Sequence, residues 1–482
     1  MRQKMFSLIG VCFLASVFAG GAQADKMEHL EKMEIKWSET PRMPKELPDE
    51  WPTYHLGHPG STFPGDPNPA FFYKGRYHLH YIYRKRGTGV LYGHVSSTDM
   101  VHWKWHPTVL GPANTGHGMY SGTGFFTKDG RPVMIYHGKG SGYNQISFGL
   151  DDNLDEWSKP VAVKPKTKSG QIPDVRMWDP DCWLDGDTYY AISGGSPPHF
   201  MKSSNLKDWE FLGKLLHEDM PDIGVSKNED VSCANMFKIG NKWMLLCISH
   251  KLGCRYYLGD FKDEKYLPEF HAMMNWNSWN CFAPESLLTP DGRRVMWAWC
   301  STKTKKNFET QSAIQSLPRE LSLPADGVLR IKPLRELARL RYDEKVEDDI
   351  TVKSGSSYML REICGDTIEL NVTIATTDAE EYGVRVFCDK DGKGFDIAVK
   401  PGEKSLAMGN INPPFELKKG EDLNLRVFLD KRLVEIFAND RQAAVYFEKH
   451  NKENVGISLF SKGGDIKAKV TGWKMKSIYE SQ

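Results

Sequence analysis

Five stretches of the chain share one pattern of apolar and polar positions. Asp66-Pro-Asn-Pro-Ala-Phe-Phe-Tyr-Lys-Gly75 runs from an acidic residue through aromatic positions to a turn closed by glycine. An alternating strand, Arg76-Tyr-His-Leu-His80, then resumes. Residues 121–130, 179–186, 232–240 and 283–292 repeat the pattern, and strands re-enter at Pro132-Val-Met-Ile-Tyr136, Thr188-Tyr-Tyr-Ala191, Lys242-Trp-Met-Leu-Leu246 and Arg294-Val-Met-Trp-Ala298. Strand-like runs on either side of a glycine turn predict a β-hairpin. The five starts, at 66, 121, 179, 232 and 283, are 51 to 58 residues apart. A propeller blade of four short strands needs roughly 40–50 residues, so the spacing predicts a five-bladed β-propeller over 25–332. A sandwich with five similar hairpins explains so long and regular a period less well.

Helical pattern is almost absent before Pro333-Leu-Arg-Glu-Leu-Ala-Arg-Leu-Arg341, which reads as a short linker helix over 333–341. Beyond it, short strands at 368–375, 383–388, 425–428, 433–437 and 456–459 alternate with Gly, Asp and Asn turns. That texture predicts a second all-β domain, a sandwich over 342–482. The fold class is therefore all-β throughout.

Composition narrows the setting. Met1-Arg-Gln-Lys4, the apolar run 6–19 and Ala22-Gln-Ala24 have the layout of a cleavable signal peptide, 1–24, which predicts a secreted or periplasmic protein. Its removal takes two basic residues and no acidic ones, so 63 basic and 62 acidic residues become 61 and 62. A net charge of −1 gives no reason to expect nucleic acid or an anionic membrane as a partner. Of nine cysteines, all but Cys12 remain, and their spacing fits no metal site. Export permits disulfides, but their pairing is not readable. Neither a metal nor an organic cofactor is expected.

The candidate chemistry lies at the strand heads. In a propeller these heads converge on one axis, however far apart they are in sequence. Asp66 and Asp179 are both followed by proline, which cannot donate to a ladder and so marks a strand start. Asn228-Glu-Asp-Val-Ser232 adds an acidic pair ahead of the fourth repeat. One Asp-Pro alone is ordinary turn chemistry. Two at equivalent positions, with acids at a third, fit glycoside hydrolysis, which needs one carboxylate as nucleophile or stabiliser and one protonated group as acid.

These residues resemble glycoside hydrolase family 32, the invertase, levanase and inulinase group. Gly65-Asp-Pro-Asn-Pro-Ala-Phe-Phe-Tyr-Lys-Gly-Arg-Tyr-His-Leu79 is similar to the family's Asn-Asp-Pro-Asn-Gly stretch, Tyr120-Ser-Gly-Thr123 to its Phe-Ser-Gly-Ser, and Trp178-Asp-Pro180 to its Arg-Asp-Pro. Phe282-Ala-Pro-Glu-Ser286, Leu317-Pro-Arg-Glu-Leu-Ser-Leu323 and Leu433-Val-Glu-Ile-Phe-Ala-Asn439 resemble other hallmarks. The resemblance implies Asp66 as nucleophile and Asp179 as transition-state stabiliser, with Asn68, Ser121 and Glu285 binding substrate. Arg176 reads as a replacement for the missing arginine of Arg-Asp-Pro, and Trp178 as a sugar-stacking wall. The family's acid, in Glu-Cys-Pro, falls on Ser232 of Ser232-Cys-Ala234. Two candidates lead for its role: Glu229, whose longer side chain bridges the offset, and Asp230, which has the strand parity of Ser232; Glu285 is a third, read first as an acceptor for a sugar hydroxyl. His80 and His94 read as core residues. Trp276 and Trp279 read as the mouth of a pocket, and Lys303-Thr-Lys-Lys-Asn307 as solvated surface.

The expectation is a secreted hydrolase that cleaves terminal β-fructofuranosides, of sucrose or fructan type, with retention. Two alternatives stand beside it. One is a furanosidase of the same fold acting on another sugar; the other is a glycan-binding protein that has lost its acid.

Overall fold

The structure is a computed structural model, described for residues 30–36, 38–43, 47–59, 62–85, 89–276, 280–301, 313–449 and 451–479. The expected signal peptide, Trp279 and the basic run 303–307 lie outside the described residues.

Each predicted hairpin forms. Ala70–Tyr73 turns into Arg76–Lys85 through Lys74 and Gly75, whose φ values of 48° and 78° make the two-residue turn whose twist suits a hairpin. The five hairpins grow into five sheets of four or five strands, antiparallel except where the short strand Pro165–Lys166 pairs in parallel with Trp209–Lys214 in the third blade. Their innermost strands are Ala70–Tyr73, Gly118–Phe126, Trp178–Asp185, Ser232–Ile239 and Phe282–Leu288. Each of these touches the next, and the last touches the first, which closes the five-bladed ring.

Both faces of a blade are covered by its neighbours, so the middle strands are apolar almost without interruption. Pro132–Lys139 is buried along all but its last residue. Separate apolar clusters glue blade one to two, two to three, and three to four. A larger one joins blades four, five and one and extends to the second domain.

A loop device recurs in three blades. Met100, Leu154 and Leu206 take φ values of 60°, 56° and 61°, and each is followed three residues later by a buried tryptophan: Trp103, Trp157 and Trp209. In the second and third copies the indole N–H donates to the carbonyl of Leu154 (2.9 Å) and Leu206 (3.3 Å).

A 3-10 helix, Arg335–Leu340, follows the propeller. Its apolar residues Leu337 and Leu340 are three apart, the period of that helix, and both are buried. A six-stranded and a five-stranded sheet then stack as a sandwich around Leu370, Val384, Ile397, Val427 and Leu459. Trp276 packs against this core, partly buried.

A buried charge network ties the two parts. Glu435 accepts from Arg319 at 2.9 and 2.6 Å and from the Leu317 N–H at 3.1 Å. His55 lies between Glu435 (3.3 Å) and Asp430 (2.8 Å), and Asp430 also accepts from the backbone of residues 53 to 55. The eight described cysteines carry free thiols.

Candidate active site

In blades two to five the innermost strand starts with the same irregularity. Met119 pairs with Gly138, but Gly122 pairs with Tyr136; Trp178 pairs with Gly194 and Asp181 with Ile192. Ser232 pairs with Ile248 and Asn235 with Leu246; Phe282 pairs with Trp299 and Glu285 with Trp297. In each case two residues oppose one, which is a β-bulge, a device that re-aims side chains. The bulged pairs are Tyr120-Ser121, Asp179-Pro180, Cys233-Ala234 and Ala283-Pro284. The structural partner of Asp179 in blade four is thus Cys233, one residue beyond the start at 232 read from the sequence.

The bulges of blades two, three and four gather around Asp66 of blade one. The Cys233 thiol lies 3.8 Å from Asp66 Oδ2 and 3.7 Å from Asp179 Oδ2. Burial and the two carboxylates push its pKa well up, so it stays a thiol and donates. The Ser121 hydroxyl also donates to Asp66 Oδ2. Asp66 sits ahead of its strand, where Pro67 and Pro69 keep the chain out of the ladder. It is anchored by bonds from Gly65 N–H to the Ile82 carbonyl (2.6 Å) and from Ile82 N–H to the Asp66 carbonyl (2.9 Å). Burial, with the charge of Asp179, raises the Asp66 carboxyl to about 6 against the opposing effects of Ser121 and Arg84. His137, opposite the bulge of blade two, places Nδ1 3.5 Å from Asp179 Oδ1.

The other expected residues are placed as follows. Trp178 is half-buried beside Asp179, with the Arg176 guanidinium 3.5 Å from its ring centre and the His137 ring at 4.3 Å. Arg176 therefore stacks on the tryptophan. Asn68 is 1% exposed, and its Oδ1 accepts from the Gly122 N–H at 3.3 Å. Glu285 is also 1% exposed, accepts from the Ala70 N–H at 3.1 Å, and leaves Oε2 without a partner. Burial and the nearby Asp181 push its pKa well up, so it is neutral. In this structure Glu285 binds inner strands together. Asp181 does the same work between Thr123 (2.7 Å) and the Met236 N–H (2.5 Å), and burial raises it to about 6.

Neither candidate acid is set up to give a proton. Asp230 accepts from Ser232 at 2.9 Å through Oδ1, and through Oδ2 from the His250 N–H at 2.9 Å and Nδ1 at 2.6 Å. Although burial opposes it, these bonds lower the Asp230 pKa and keep it ionised, the opposite of what a general acid needs. Glu229 accepts from the Ser249 hydroxyl at 2.6 Å, and its charge is felt by Arg255, Tyr257 and His271 in the body of blade four. The sequence reading missed Cys233, Asp181, His137 and His250. Only Cys233 carried a signal, as the cysteine that follows the position of the family acid.

Among the described residues, one cluster has donors close enough for a metal ion. His78, His94 and His106 present nitrogens within 4.8 Å of one another inside blade one. Those nitrogens are already used: His78 pairs with His94 at 3.0 Å, and His106 pairs with Asp155 and Ser96 at 3.0 and 2.7 Å. Burial pushes His78 and His94 down to about 3, so both are neutral core residues.

Comparison with known proteins agrees with this geometry. Residues 55–333 match the Glycosyl hydrolases family 32 N-terminal domain, and residues 336–477 match the Glycosyl hydrolases family 32 C terminal domain. The chain belongs to glycoside hydrolase family 32. A levanase of Bacillus subtilis (strain 168) is 26% identical over 498 residues, covering 87% of this chain and 69% of that protein. A sucrose-6-phosphate hydrolase of Escherichia coli is 24% identical over 462 residues, covering 86% and 92%. Among solved structures, fructan 1-exohydrolase IIa from Cichorium intybus superposes with a TM-score of 0.74 at 17% identity, over 90% of this chain and 98% of that one. Sucrose-6-phosphate hydrolase from Lactobacillus gasseri gives 0.72 at 22% identity, over 89% and 94%. At these identities the likeness is one of fold: a propeller followed by a sandwich.

Proposed function

We propose that this family 32 member is an exported β-fructofuranosidase that releases terminal fructosyl units from sucrose- or fructan-type substrates with retention. The observation that carries this reading is the meeting of Asp66 and Asp179, from blades one and three, on the one thiol of Cys233. Asp66, ionised above about pH 6, attacks the anomeric carbon and forms a fructosyl-enzyme ester. Asp179 faces the sugar from the other side of the thiol and offsets the positive charge that develops on the ring. Ser121 holds the Asp66 carboxylate in line. Trp178, backed by Arg176, forms the apolar wall on which the sugar lies. Relatives named levanase, raffinose invertase and beta-fructofuranosidase support the substrate class.

Ser232 in place of the family's acid favours a second reading, a protein that binds glycans without turning them over. One experiment separates the two: release of fructose from sucrose, inulin and levan by the wild type and by Asp66→Asn. The proposal expects turnover by the wild type and a loss on the order of 10⁶-fold in the variant, the scale for deleting a nucleophile. Binding of these sugars by the wild type with no fructose released contradicts it.

A further inference from the structure

The ring has a nucleophile and a stabiliser, but the place of its proton donor is taken by a serine. Ser232 is fully buried and spends its hydroxyl on Asp230. Asp230 has both oxygens occupied, and Glu229 is turned to Ser249. What Asp230 does with its second oxygen is to grip an imidazole.

His250 directly follows the second strand of blade four, Lys242–Ser249, whose end pairs with the start of the inner strand. Its Nδ1 and its backbone N–H both meet Asp230 Oδ2, which fixes the ring and leaves Nε2 unspent. The side chain is 55% exposed, so the free edge faces solvent rather than core. The charges that act on it come from Asp230 on its own blade, then from Asp179 of blade three and Asp66 of blade one. All three are acidic. The contacts run the same way: Asp230 also accepts from Ser232, and the next residue, Cys233, turns its thiol to Asp66 and Asp179. Lys251 is its neighbour in sequence. An imidazole oriented through Nδ1 by a carboxylate, with Nε2 open toward a reacting group, is a standard arrangement for a general acid or base.

We infer that His250 is the proton donor of this hydrolase, positioned by Asp230, in place of the carboxylic acid that its family uses. The inference rests on the assignment of Asp66 as nucleophile. In the first step the bond from Asp66 to the anomeric carbon forms as the glycosidic C–O bond breaks, and the Nε2 proton passes to the departing oxygen. In the second step water attacks the same carbon, the ester to Asp66 breaks, and the water proton returns to Nε2. Asp230 stays ionised throughout. The hydrogen bond to Asp230, which outweighs the opposing effect of burial, raises the His250 pKa above 6.5, so the imidazolium is populated where Asp66 is already ionised. The pH profile of kcat/KM should then rise near 6 and fall as His250 deprotonates.

The test compares two leaving groups. Sucrose needs a proton to depart; β-fructosyl fluoride does not. For His250→Ala we expect a fall of about 10²–10⁴-fold in kcat on sucrose, with an initial burst of fluoride release from fructosyl fluoride close to the wild-type rate. The basic limb of the pH profile should vanish. Asp230→Asn, which keeps the histidine but not the charge, should move that limb to lower pH. Sucrose hydrolysis by His250→Ala within about threefold of wild type overturns the inference, and so does equal loss on both substrates. Failure of the underlying assignment looks different: Asp66→Asn would then keep its activity on fructosyl fluoride, whatever His250 does.

Discussion

At the scale of the residue, Asp66 shows what a site of this kind costs. Its carboxyl is raised from 3.8 to about 6, chiefly by burial. The folded protein thus holds that proton more tightly than the unfolded chain does. The stability this contributes is fully present below the unfolded value and is lost as the pH rises through about 6. Asp66→Asn removes the loss. Thermal unfolding of the variant should show a gain over wild type at about pH 8, up to ~3 kcal/mol for a shift of this size, and none at about pH 3. No gain at the higher pH contradicts the assigned environment. The two Asp-Pro pairs were legible because proline at a strand head leaves a mark in the sequence. The acid was not legible. Strand parity pointed to Asp230 and side-chain length to Glu229, but neither can show that His250, just past the end of the next strand, meets Asp230.

At the scale of the element, the recurring bulge sets the geometry. It adds one residue to each innermost strand of blades two to five and so turns Asp179 and Cys233 toward each other. The period of the hairpins was readable from glycine turns and apolar runs. The bulges were not, since an inserted residue changes pairing and leaves composition alone; hence the starts at 121 and 232 were each one residue off the bulged positions 120 and 233. Blade two depends on Gly122 directly after its bulge. A Cβ there would lie 1.9 Å from the Ile135 carbonyl oxygen and 2.6 Å from the Tyr136 Cα, backbone atoms with no room to yield. Gly122→Ala should therefore shift the strand carrying Ser121, costing about 1–3 kcal/mol and most of the activity. Unfolding curves and initial rates check this, and a stable variant with wild-type rates would contradict it.

At the scale of the whole molecule, the sandwich contributes an anchor. Glu435 was noticeable as an acid within an otherwise apolar strand and as part of a stretch resembling the family, yet its partners Arg319 and His55 lie far away in sequence. Burial alone would raise its pKa, but Arg319 and His55 hold it below the ordinary value. Its contribution is present above the ordinary carboxylate range and lost on acidification. His55 is raised by Asp430 and Glu435 against burial, so its contribution fades in the other direction, as the pH rises. Glu435→Ala leaves a buried arginine unpaired, and breaking such a pair costs about 3–5 kcal/mol. Tm should fall sharply, and pairing the change with Arg319→Met should recover much of the loss; an unchanged Tm in the single variant contradicts the anchor. In the proposed mechanism, the ring that this anchor supports brings Asp66 and Asp179 to one sugar. The most direct measurement is mass spectrometry of the enzyme quenched during turnover of β-fructosyl fluoride. A single fructosyl unit on the peptide carrying Asp66, absent from Asp66→Asn, is the predicted result. Active turnover with no adduct on that peptide, or an adduct on another carboxylate, would contradict the account.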